Sequence, residues 1–432
     1  MIGLVMFFIA LLLLLFGFPV AFTFGGVALF FGVLAEGLDL FAFMPFRIYS
    51  IMQNTVLMAV PLFVFMGIVL QKTQLAEQLL KSMASLFGTL HGGLAISTIL
   101  VGALLAASTG VVGASVVAMG VISLPVMIKY GYNKSLACGS ILGAGTLGQI
   151  IPPSIVLIIL GDVLGQPVGD LFKAALAPGL ILVGMYVLYV VVYAYVKKGN
   201  APVVPFEDQD AKRVVQYMTA LKGVVPPLLL IVVVLGSIFS GIATPTESSA
   251  LGCVGSVFLA IFYRKFSFSM LFESAKETVK ITAMVFAILL GATAFSMVFT
   301  YTGGDIIVEE FLTKLPGEKW GFLIFAMLFI LVLGFFIDFI EISFIVVPIL
   351  APIAEAMGIS MIWFAILIAM NLQTSFLTPP FGFSLFYLKG VAPPSVTTVD
   401  IYRGVVPFII AQIIVVVSIL LFPELYGFTR SA

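Results

Sequence analysis

The chain has 432 residues, of which 62% are hydrophobic and 9% charged, and its formal net charge is zero. Soluble domains carry about 25% charged residues, so a mean hydropathy of +1.25 marks a polytopic membrane protein with no global charge to attract nucleic acid. A single histidine, His91, excludes multi-histidine metal sites, and Cys138 and Cys253 lie in separate apolar runs that do not indicate a disulfide framework.

A spanning helix needs about 20 apolar residues. The N-terminal run has neither a basic leader nor a small-residue cleavage site, so it reads as a first span. Pro19, just after Gly17, divides residues 1–35 into spans near 2–17 and 18–35, and a third span is expected at 48–70. Residues 92–128 form two short arms around the small, polar STGVVGAS, with lysines on both flanks. That pattern predicts a re-entrant hairpin entering and leaving on one side; two tightly joined full spans are the alternative. Next comes GAGTLGQIIPPSIVLIILG, within a helix expected at 135–160. Pro152 and Pro153 remove two backbone donors, and the residue before a proline is driven out of the helical region. Its centre therefore cannot be helix, and broken backbone at membrane depth survives only when buried in protein or lining a watery cavity. A span from Pro178 to Val196 follows, then a polar linker at 197–222.

The second half predicts spans at 223–240 and 245–263, an interfacial amphipathic stretch at 266–276 and a span at 277–300. After a polar loop come a second hairpin at 320–357 and a second broken helix at 360–388, containing NLQTSFLTPPFG. A last span is expected at 404–422. The halves match in order. Pro19 pairs with Pro245, Gly67 with Gly291, Ser115 with Ser343, Pro152–Pro153 with Pro379–Pro380, and Pro178 with Pro407. Five spans and one same-side hairpin per half make the second half run inverted, a secondary-transporter pattern. The predicted organisation is thus a first repeat at 1–196, a cytoplasmic linker at 197–222 and a second repeat at 223–432. With both termini placed outside, fifteen of the 20 Lys and Arg residues fall on the cytoplasmic side.

No nucleophile motif, Walker loop or dinucleotide fingerprint accompanies these spans, so the chain is not read as an enzyme. Polar residues at depth are the candidates instead. The first tip offers Ser108, Thr109, Gly110, Gly113 and Ser115; the first break offers Gly145, Thr146, Gln149, Pro152, Pro153 and Ser154. The second tip offers Asp338, Glu341 and Ser343; the second break offers Asn371, Gln373, Thr374, Ser375, Thr378, Pro379 and Pro380. Hydroxyls, amides and freed carbonyls are hard oxygen ligands for an alkali cation, while half-helix N-termini favour an anion. Na+ is expected at tips and breaks, at Ser108, Ser115, Asp338 and Thr374, as a coupling ion with no other cofactor. Asp338, Glu341 and Glu247 are the acids placed within the membrane, and intramembrane acids are functional candidates by default. Glu247, in ATPTESSA, reads as a first-turn capping carboxylate.

LGQIIPPS, NLQTSFLTPPFG, STGVVGAS, ATPTES and GFFIDFIEISFIVVPILAPI resemble the large membrane subunit of TRAP transporters, the DctM type, over nearly the whole chain. The resemblance implies an all-α, elevator-type carrier in a bacterial or archaeal inner membrane. It implies Na+-driven uptake of a small organic acid, delivered by a periplasmic substrate-binding protein to this subunit and a small four-span partner. By motif, the ion and substrate positions fall at Ser108–Ser115, Gly145–Ser154, Asp338 and Asn371–Pro380. The alternative is a self-sufficient sodium–carboxylate symporter; a channel or intramembrane enzyme is a third reading.

Overall fold

Backbone in hydrocarbon must satisfy its own hydrogen bonds, and in the computed structural model every regular element among the described residues is helical. The structure describes residues 2–73, 79–80, 82–83, 86–87, 90–109, 112–203 and 213–428, the side chains of 106–109, 213–220 and 222 excepted. The expected all-helical membrane architecture, with two hairpins and two broken helices, is observed.

The first two spans are α1 (Ile2–Leu15) and α2 (Val20–Glu36), separated at Pro19. The third span departs from expectation. It is two helices, α3 (Met44–Met52) and α4 (Ala59–Lys72), with a turn between them. Asn54 makes the turn: its side-chain oxygen accepts from Val56 N at 2.9 Å and Leu57 N at 3.3 Å, offering the backbone an alternative to helix. The first hairpin is α5 (Gly93–Thr109) and α6 (Val112–Lys129). The first broken helix is α7 (Lys134–Thr146) and α8 (Ile155–Val163). The following span, α9, starts ten residues before the expected Pro178, at Val168–Val196, and carries that proline in its interior.

In the second half, helix begins at Arg213, inside the expected linker, as α10 (Arg213–Phe239); α11 is Pro245–Phe262. The interfacial stretch and its span are one helix, α12 (Phe268–Tyr301). Ser267 caps it by accepting from Met270 N, and no proline interrupts it. The expected polar loop contains α13 (Gly304–Thr313). The second hairpin pairs α14 (Lys319–Leu333) with α15 (Phe339–Ala356), whose residues 342–346 are wound as π-helix. The second broken helix is α16 (Met361–Leu377) and α17 (Phe383–Val391). The last span is α18 (Thr398–Leu421), six residues longer at its start than expected because Thr397 and Asp400 form a capping box there.

Packing sorts these helices into two sets. In the frame, α2 lies along α12, α4 between α11 and α12, and α10 against α11. In the inner set, both arms of the first hairpin pack on α7, α18 runs along α7, and α16 touches α14 and α18. Small residues allow the closest approaches, as they do where lipid supplies no hydrophobic drive between helices. At the α7–α18 crossing a Cβ on Gly139 would collide with the Gly404 backbone; at α2–α12 one on Gly291 would lie 2.6 Å from the Ala21 carbonyl oxygen. The frame meets the inner set mainly through the hairpins, α4 on α5 and α12 on α15. A side-chain hydrogen bond also crosses the boundary: Asn54 Nδ2 donates to Asp162 Oδ1 at the end of α8, at 2.5 Å.

Candidate functional site

A proline pair leaves a helix with carbonyls that no amide can reach. In a continuous helix the Gln149 carbonyl would accept from residue 153 and the Phe376 carbonyl from residue 380, and both positions are proline. The structure meets both deficits with a serine. Ser154 Oγ donates to Gln149 O at 2.6 Å, and Ser384 Oγ donates to Phe376 O at 2.5 Å. Ser154 also accepts from Leu157 N at 3.5 Å, capping α8. Each break is therefore a fixed shape, held across the gap by one hydroxyl. Ser384 is a residue of the candidate site that sequence reading missed. Its signal was a serine shortly beyond the second proline pair, but Phe381, Gly382 and Phe383 intervene and hide the likeness to PPS.

Around this backbone the other candidates divide by what their polar atoms already do. Thr146 Oγ1 donates to the carbonyls of Leu142 (3.2 Å) and Gly143 (3.1 Å), Thr374 Oγ1 to Met370 O (3.0 Å), and Thr378 Oγ1 to Thr374 O (2.8 Å). Their hydroxyl protons are spent within the helix, which leaves the oxygens as acceptors only, the form suited to a cation. Ser375 does the same with Leu372 O, and Asn371 Nδ2 reaches Met327 O on α14 at 2.6 Å. Gln149 and Gln373 are different. Both are fully buried, and among the described residues neither amide nitrogen nor amide oxygen of either has a hydrogen-bond partner. Glu341 Oε2 and Ser343 Oγ, both buried, likewise have no hydrogen-bond partner among the described residues. Asp338 caps the start of α15, its carboxylate accepting from Phe339 N at 2.6 Å.

The four stretches are brought together. The first hairpin and α16 both pack on the single 3-10 turn Leu147–Gln149 that ends α7. The Asp338 end of α15 packs on α8. Gly113, at the first tip, lies under the Tyr387 ring of α17, where a Cβ would come within 2.9 Å of the ring. Gly145 has no room for a Cβ beside Val116 of α6, so its role in the structure is to let the first hairpin close on the break. Gly110 and the side chains of Ser108 and Thr109 lie outside the described residues; Gly113 and Ser115 fall within them. Glu247 behaves as the sequence predicts. It forms a capping box with Thr244 at the start of α11, away from the site.

Comparison with known proteins adds the family. The sequence profile of the tripartite ATP-independent periplasmic transporter DctM component matches residues 5–425. The chain belongs to this family. Among its relatives, the C4-dicarboxylate TRAP transporter large permease DctM of Pseudomonas aeruginosa is 32% identical over 80% of this chain and 79% of its own length. The ectoine large permease TeaC of Halomonas elongata is 29% identical, covering 97% and 96%. The sialic acid large permease SiaM of Vibrio cholerae is 30% identical, covering 95% and 94%. The solved structure of the Alcanivorax borkumensis YdaH transporter, described as having an unusual topology, shares the fold at a TM-score of 0.67 and 13% identity, over 98% of this chain and 100% of that one. The protein is thus a multi-pass large permease subunit of a TRAP transporter. Its relatives carry names with three different substrates.

Proposed function

We propose that this DctM component uses a Na+ gradient to import a small organic acid handed over by a periplasmic binding protein, working with a small four-span subunit in the inner membrane. The observation that carries this reading is the matched pair of proline breaks, each held by a serine and each accompanied by a buried, unpartnered glutamine. Leaving a buried amide unpaired costs about 1–3 kcal/mol. Two such amides, one per break, are best accounted for by a partner outside the chain, a substrate or its hydration. The acceptor-only hydroxyls of Thr146, Thr374 and Thr378, with the Asp338 carboxylate, supply the oxygen donors a coupling cation needs. Transport then proceeds as the inner set moves past the frame, with the two halves inverted in the membrane and both termini periplasmic.

Reconstitution with binding protein and small subunit in proteoliposomes tests the proposal. Uptake should require an inward Na+ gradient, and Asp338→Asn should weaken that dependence while the yield of folded protein stays unchanged. Equal uptake with and without the gradient would end the sodium reading. Uptake by this polypeptide alone would favour a self-sufficient symporter.

A further inference from the structure

Between the frame and the second hairpin lies a cavity of about 150 Å³ that the transport site does not use. Its frame side is formed by α1, α12 and α13, its hairpin side by α14 and α15, and every lining residue is apolar. Phenyl rings build half of the wall. Phe7 of α1 meets Phe299 of α12 and Phe329 of α14, each at 6.4 Å between centroids, and Phe311 of α13 meets Phe325 of α14 edge-on at 5.6 Å. Two rim residues, Phe8 and Phe311, are 66% and 54% exposed, so the wall continues onto the outer surface of the helices.

An apolar cavity of this size stays free of water and accepts hydrocarbon, while protein interiors tolerate few voids that remain empty. Within the hydrocarbon layer the surroundings of a membrane-spanning helix are acyl chains. An all-apolar pocket whose rim lies on the lipid-facing surface is continuous with that phase. We infer that this cavity holds one acyl chain of a bilayer phospholipid, packed between the frame and the second hairpin. The chain fills space that the two helix sets leave between them, and it gives the α1–α14 contact a deformable layer where a rigid side chain would lock it. The amphipathic α13, unexpected from the sequence, forms one side of the pocket by turning Val308, Phe311 and Leu312 toward it.

Quenching by brominated lipid reads this directly. The complete chain, with Trp320→Phe and Trp363→Phe, carries a reporter at Phe299→Trp and is reconstituted in phosphatidylcholine with brominated acyl chains. Two control variants bracket the response: Phe258→Trp on the lipid-facing side of α11, and Phe364→Trp in the sealed interior of α16, positions 65% and 0% exposed. The reporter should lose fluorescence as the Phe258→Trp control does, although Phe299 itself is only 1% exposed. Loss as small as in the Phe364→Trp control would overturn the inference. So would quenching abolished by adding the small subunit, which would assign the cavity to a protein segment. A second measurement keeps both tryptophans in place. Native mass spectrometry of the unaltered chain should retain one phospholipid more than a Leu350→Trp variant, in which the new ring fills the cavity. Equal lipid counts would refute the assignment.

Discussion

At the first break Pro152, Pro153 and Ser154 are buried, whereas at the second Pro380 and Phe381 are exposed, Phe381 keeping 46% of its surface. Both breaks replace the same missing amide with a serine hydroxyl, so the backbone does not account for the contrast. The surroundings do. The first break is enclosed by both arms of its hairpin, by α16, and by α9, where Gly179 lies over Ile151. The second has the exposed ring of Phe336, from the second tip, 5.2 Å from Phe381. Two similar pieces of backbone thus sit in unlike places: one is sealed, and the other reaches the surface past a pair of aromatic rings.

Replacing the prolines gives the largest expected effect. Pro152→Ala with Pro153→Ala lets helix continue through the sealed break, where there is no space for it. Uptake should fall to the liposome background and the yield of folded protein should fall with it. Pro379→Ala with Pro380→Ala should abolish uptake while leaving yield near normal, since the open break has room to straighten. Equal yields in the two variants would erase the distinction between the breaks. Gln149→Leu and Gln373→Leu come next. Removing a buried unpaired amide should raise stability by about 1–3 kcal/mol, read in thermal unfolding, while uptake drops more than tenfold (about 1.4 kcal/mol or more in transport barrier). A loss of stability would mean that the amides have partners within the fold.

Ser154→Ala should cost about 1–3 kcal/mol by orphaning the Gln149 carbonyl and uncapping α8. Ser384→Ala should cost less, because it frees only one carbonyl, whereas Ser154 also caps a helix. A larger penalty at Ser384 would contradict the capping argument. The smallest effect is expected at the link between the helix sets. Asp162→Ala removes the bond from Asn54 while leaving the turn that Asn54 makes intact, and should change stability by about 1 kcal/mol while altering the uptake rate. An unchanged rate would remove this contact from the moving boundary.

Proline and glycine announced the breaks and hairpins because their effect on backbone is local and does not depend on the neighbours. Where the interruption depends on a side chain, the sequence is silent. Asn54 splits the third span through two hydrogen bonds that hydropathy does not register. Pro178 looked like a boundary, yet α9 carries it in mid-helix. Residues 266–276 read as an interfacial stretch ahead of a separate span; what could not be read is that one helix continues unbroken through both. Of the candidate site residues, Gln149 and Gln373 were visible as polar residues at depth. That both lack partners is a three-dimensional fact. Gly145 was legible as a helix-weakening glycine, but its close fit against Val116 belongs to packing between distant segments.

The length of α12 has a consequence for the frame as a whole. Its 34 residues extend about 51 Å at 1.5 Å per residue, well beyond a hydrocarbon layer of about 30 Å. At its base, Lys72 of α4 pairs with Glu273 at 3.3 Å and Glu277 at 2.9 Å. Sinking that base into lipid would immerse three charges, at about 2.5–3.5 kcal/mol for each such side chain. The frame therefore has a draught, a depth at which it floats and from which it resists being pushed, and any sliding element is measured against that waterline.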